Sequence, residues 1–145
     1  MTKFLALDME SVGDGEVKLR AISFKFEKGL PKKLDELQLA IKSEKKVDGV
    51  CEAMELFCDF GPDAAEIFWN FISDVNVFLV FSNNFGLATA TALCCGGLNP
   101  ITVSVLEMAK SLNFEMEQGE SKCEVIMNTF AAIWLKQNFI LAPYL

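Results

Sequence analysis

Histidine is absent from this chain of 145 residues, and arginine occurs once, at Arg20. The first absence excludes every mechanism built on an imidazole base and every zinc site that mixes histidine with cysteine. The second, with a formal net charge of −7, weighs against tight binding of nucleic acid by phosphate neutralisation, which relies on clustered Lys and Arg. The lysines that do cluster, Lys32 and Lys33, then Lys42, Lys45 and Lys46, read as solvated loops. Although 52% of residues are apolar, no uninterrupted stretch approaches the ~20 that a membrane helix needs, so no membrane partner is expected. No secretory leader is visible ahead of the strand-like segment at the N-terminus. The five cysteines, Cys51, Cys58, Cys94, Cys95 and Cys123, are odd in number and lack paired metal-ligand spacing. They read as reduced core thiols of a cytoplasmic protein.

A chain of this length fits one domain, residues 1–145, with a core of its own. Phe4 to Ser11 reads as a first strand, and Gly13-Asp14-Gly15 as a turn. Val17 to Phe26 follows, with Ile22, Phe24 and Phe26 alternating on one face as an antiparallel partner. After a connection through Lys28-Gly29-Leu30-Pro31, the alternation of Leu37, Leu39 and Ile41 predicts a third strand and closes a meander. The period then lengthens. Val47, Val50, Cys51, Met54 and Phe57 imply an amphipathic helix, and Ile67, Phe68, Phe71 and Ile72 mark a second one beyond Pro62. Val77–Phe81 is a short apolar run suited to a strand covered on both faces. Further along come a helix over Phe85–Cys95, a strand at Ile101–Val103 and a short helix from Val105. In the last helix, Ser121 and Glu124 form a capping-box pattern ahead of Val125, Ile126, Thr129, Phe130, Ile133 and Trp134. The fold class expected is α/β: one mixed sheet, a three-stranded antiparallel meander followed by alternating helices and strands.

Asp8 and Glu10 stand out within the first strand. Residues two apart on a strand share a face, so both carboxylates project from one side of the sheet. Hard oxygen ligands in that arrangement suit a divalent cation such as Mg or Mn. A strand end whose acids simply lie in water gives the same pattern.

The segment Phe-Leu-Ala-Leu-Asp-Met-Glu-Ser-Val-Gly, Phe4 to Gly13, resembles the first motif of the DEDD 3′-to-5′ exonucleases of the proofreading-subunit type, with serine in the place of a threonine. Phe78 to Leu87 is similar in outline to the second motif, an apolar strand followed by His-Asn-x-x-Phe-Asp and a helix. Val105 to Lys110 resembles a Thr-Leu-Glu-Leu-Ala-Arg segment. The third motif, His followed by four residues and Asp, falls on Cys123 and Asn128. This resemblance spans nearly the whole chain and implies an RNase H-like fold, a metal-dependent nuclease site at Asp8 and Glu10, and single-stranded nucleic acid as ligand. The chain departs from the pattern at three positions: Gly86 and Asn128 stand where the motifs carry aspartate, and Cys123 where they carry the histidine base.

Those departures bear directly on chemistry. A two-metal nuclease holds its ions about 4 Å apart; at an effective dielectric of 20, two divalent ions there repel by on the order of 16 kcal/mol. Two carboxylates offset this poorly, glycine offers no ligand, and a thiol of ordinary pKa about 8.5 is a poor general base. Glu107, Glu120 and Glu124 are substitute acids that sequence leaves on the surface. The expected function is a degenerate exonuclease-like protein, or pseudoenzyme, of lost or weak activity, holding Mg or Mn weakly if at all and binding nucleic acid or a protein partner. One alternative is an active exonuclease with a rearranged site at Asp8 and Glu10. A second is a structural or assembly protein that self-associates through the apolar tail from Phe139 to Leu145.

Overall fold

In the computed structural model the described residues are 2–12, 16–42, 62–81 and 101–141. Their elements are β1 (Phe4–Val12), β2 (Glu16–Glu27), β3 (Leu30–Lys42), α1 (Pro62–Ile72), β4 (Val77–Val80), β5 (Ile101–Ser104), α2 (Val105–Ser111) and α3 (Lys122–Leu141). The strands form one five-stranded mixed sheet in the order β3-β2-β1-β4-β5. The first three are an antiparallel meander, while β4 runs parallel to β1 and β5 parallel to β4. The α/β class and the meander are thus as the sequence predicts. The helices expected around Lys46–Cys58 and Phe85–Cys95 lie outside the described residues, as do Gly86, the cysteines other than Cys123, and the last four residues of the tail.

The second hairpin is tighter than the sequence suggests. Instead of a connection through Pro31 and a strand near Leu37, two residues make the turn, and β3 begins at Leu30. Lys28 and Gly29 both take positive φ, 55° and 79°, the backbone that two-residue hairpin turns require. Lys32 and Lys33 consequently sit on a strand and not in a loop. β3 is the outer strand of the meander, and its first half is poorly suited to pairing with another chain. Pro31 lacks an N–H, the two lysines are exposed, and the register skips Leu34 between Asp35, opposite Ser23, and Lys33, opposite Phe24.

Core residues cover both faces. Phe4, Leu5, Ala6 and Leu7 are all buried, because β1 is the central strand and both of its alternating faces are covered. One face carries Phe4, Ala6, Ile22, Phe24, Val77, Leu79 and Val103, packed against Val105 and Ala109 of α2 and against Ile126, Phe130 and Ile133 of α3. Buried Leu5, Leu7, Phe78 and Val80 belong to the other face, with Phe68 and Ile72 of α1 also buried. Five rings gather on the α3 side. Phe4 lies 5.4 Å from Phe24, 5.2 Å from Phe130 and 5.8 Å from Trp134, while Phe26 and Trp134 stack at 4.6 Å with planes 8° apart.

The helix ends explain how the chain reaches α3. Asn113, at φ 53°, turns the chain after α2; the amides of Asn113 and Phe114 bond the carbonyls of Lys110 and Ala109, a Schellman closure. The following strap is latched onto α3 from both sides. Buried Thr129 accepts the Glu117 amide at 2.8 Å, and the Asn128 side-chain amide donates to the Gln118 carbonyl at 2.9 Å. A Cβ on Gly119 would lie 2.7 Å from the Val125 amide nitrogen, so only glycine fits as the strap meets the first turn. Ser121 then caps α3 by accepting the Glu124 amide at 3.2 Å. The Glu124 carboxylate reaches back to the amide of Glu120, one residue earlier than in an ordinary capping box.

Candidate functional site

The sheet changes character one row beyond its core. On the α3 face Phe4 lies opposite Phe24 and beside Val77, and Ala6 opposite Ile22 and beside Leu79. The next row holds Asp8 opposite Arg20, with Phe81 abreast of Asp8 if the parallel register is carried on by two residues. Alternation along the strands therefore brings an acid and a guanidinium to one edge of the core, and Phe81, just past β4, packs against that same core. Asp8 is half-buried and Arg20 exposed. The start of α3 closes over this row. Lys122 holds its ammonium 4.9 Å from the centre of the Phe81 ring, and Cys123 is buried beneath it.

Cys123 is the position the sequence pairs with the family's histidine, and it does come to Asp8. Its thiol donates to the Arg20 carbonyl, Sγ to O 3.2 Å. Burial pushes the thiol up to about 12, and the nearby Asp8 carboxylate adds to the rise, against the smaller opposing pull of the Asp8 amide and Arg20. The group is therefore a protonated hydrogen-bond donor at neutral pH, unable to act as a base. Beside it, a hollow of about 250 Å³ is lined by Arg20, Glu36, Gln38, Ser121 and Cys123.

Asn128 goes elsewhere. Because α3 already begins at Lys122, Cys123 and Asn128 lie on one helix, and five residues at about 100° each put them roughly 140° apart. Asn128 instead lines a second hollow of about 310 Å³ with Gly29, Leu30, Pro31, Ala131 and Leu135. The substitute acids are also occupied or remote: Glu124 serves the cap and lies 3.6 Å from Lys33, and Glu107 and Glu120 are exposed. Glu10 lies two positions past Asp8, in register with Lys18. Among the described residues no three His, Cys, Asp or Glu side chains converge to hold a metal ion. A protonated thiol is a poor ligand for a hard cation, so Cys123 adds no ligand to the Mg or Mn site that the resemblance implies.

Sequence reasoning missed Arg20, Phe81 and Lys122 as members of this site. The first two were legible in principle, from the period-2 alternation that places residue 20 opposite residue 8 and continues β4 by one residue past its last paired position. No family model matches the chain, and no curated protein matches it either. Among the described residues no helix is long and apolar enough to cross a membrane.

Proposed function

We propose that this chain is a degenerate 3′-to-5′ exonuclease-like domain on an RNase H-like sheet, which binds single-stranded nucleic acid or a protein partner in the cytoplasm without hydrolysing phosphodiesters. The observation that carries this reading is Cys123, a buried, protonated thiol seated against the strand that bears Asp8. Where a nuclease needs a base and room for metal-bound water, this chain has a small closed donor. The strand order β3-β2-β1-β4-β5 supports the scaffold part of the reading, since it puts Asp8 on the central strand where antiparallel pairing gives way to parallel. Asn128, latched to Gln118, supplies no replacement for a third acid.

The second reading is an active exonuclease centred on Asp8 and Glu10, favoured by the presence of both acids on that central strand. An end-labelled single strand of DNA or RNA, incubated with the purified chain and Mg²⁺ or Mn²⁺, separates the two. The proposal expects full-length strand throughout and no difference between the natural chain and Asp8→Ala. Degradation that Asp8→Ala abolishes establishes the second reading instead.

A further inference from the structure

Among the described residues the two most exposed large apolar side chains, Leu30 at 62% and Leu135 at 61%, border the same hollow of about 310 Å³ between the Lys28–Gly29 turn and α3. Single exposed leucines are ordinary; two beside an open apolar depression make a patch. One wall is α3, where Asn128, Ala131, Ala132 and Leu135 recur at steps of three and four and so share a helix face. The two alanines leave the middle of that wall low. Leu135 stands at its end against the turn, its Cδ1 3.6 Å from where a Cβ on Gly29 would lie. The frame is set in advance, the turn by its two positive φ angles and the strap by its hydrogen bonds to Asn128 and Thr129.

Charge decides what fits such a patch. Its strap end carries Glu117, which lines the hollow, and its turn end carries Lys28, next to Gly29. Both are exposed, and among the described residues neither has an ion-pair partner. Asn128, at the strap end, and Leu135, at the turn end, are seven residues and so about 10 Å apart along α3. The patch therefore has an acid at one end, a base at the other and apolar surface between them. A surface of this kind complements itself turned end for end, which is what an isologous two-fold contact demands. We infer that this hollow is the contact surface of a homodimer, with the two α3 helices antiparallel about an axis near Ala131 and Ala132. Leu135 of each copy then enters the hollow of the other opposite Asn128, and Lys28 of each meets Glu117 of the other. A partner of one charge sign would face repulsion at one end.

Sedimentation velocity of the full chain tests this, in about 0.15 M NaCl so that the mutual repulsion of two chains of net charge −7 is screened. The sedimentation coefficient should rise from that of a monomer to that of a dimer between about 1 and 100 μM. Leu135→Asp should weaken association about tenfold or more, with an unchanged circular dichroism spectrum, because the side chain it replaces is exposed. Lys28→Glu and Glu117→Lys should each weaken it as well, since each sets like charges against one another twice per dimer. The two together exchange the ends of the patch and should restore association. A chain that stays monomeric throughout that range overturns the inference and leaves the patch to the chain's own last residues or to a different protein. A dimer that Leu135→Asp leaves intact, or that the double exchange fails to rescue, overturns it too.

Discussion

Phe4→Ala is expected to destabilise the protein by about 3–5 kcal/mol, the largest effect of any single truncation considered. Phe4 is 1% exposed and lies at the centre of the ring cluster, touching Phe24, Phe26, Phe130 and Trp134. Its loss removes the transfer energy of a phenyl ring and leaves a cavity that cannot close. β1 is fixed on both sides by ladders to β2 and β4, and α3 is held by Ile126 and Ile133 as well as by Phe130. Aromatic pairs add about 0.5–1.5 kcal/mol each beyond area burial, so the cost should sit toward the upper end. Urea unfolding followed by Trp fluorescence measures it. A loss under about 1 kcal/mol would mean that the cluster is not the keystone of this face.

Alkaline pH should weaken the fold through Cys123. The folded thiol is pushed well above its ordinary range, up to about 12, first by burial and then by the Asp8 charge. Within that window the unfolded thiol has lost its proton and the folded one has kept it, so the unfolded state binds fewer protons. Stability therefore falls as pH rises, by up to about 1.4 kcal/mol per pH unit. The contribution is fully present below the unfolded pKa and disappears as pH climbs through the folded one. Other groups also titrate in this range, so the test is a difference. Cys123→Ala should be the less stable protein near neutrality but should lose less stability than the natural chain on going to about pH 11. Parallel pH profiles of the two proteins contradict the assignment. The same protonated state predicts that Cys123, identified by peptide mapping, resists alkylation at mildly alkaline pH while the protein stays folded.

Most of the fold is written in local patterns that physics reads directly. The alternation of Ile22, Phe24 and Phe26, the steps of Phe68 and Ile72, and the Ser121–Glu124 cap each report a period or an end that one stretch of chain dictates. The hairpin at Lys28–Gly29 was harder, because Leu30 and Pro31 resemble a loop and only the register of the whole meander shows that they belong to an edge strand. The site was less legible than the fold. Asp8 was evident as an acid in an apolar strand, and Cys123 was found by motif spacing. That spacing predicts the same place for Asn128, yet the early start of α3 turns it onto the strap at Gln118. Arg20 and Cys123 come to Asp8 from 12 and 115 residues away in the chain, and no local pattern announces such a meeting.

The account as a whole turns on whether the acids of β1 hold a divalent cation, and paramagnetic broadening observes this residue by residue. In a ¹⁵N-labelled sample titrated with MnCl₂, the amides of Asp8, Arg20 and Cys123 should broaden no more than that of Glu115, an exposed acid away from the site. Selective broadening around Asp8 at low Mn²⁺, absent from Asp8→Asn, would show a metal seated at the edge of the core and contradict the account.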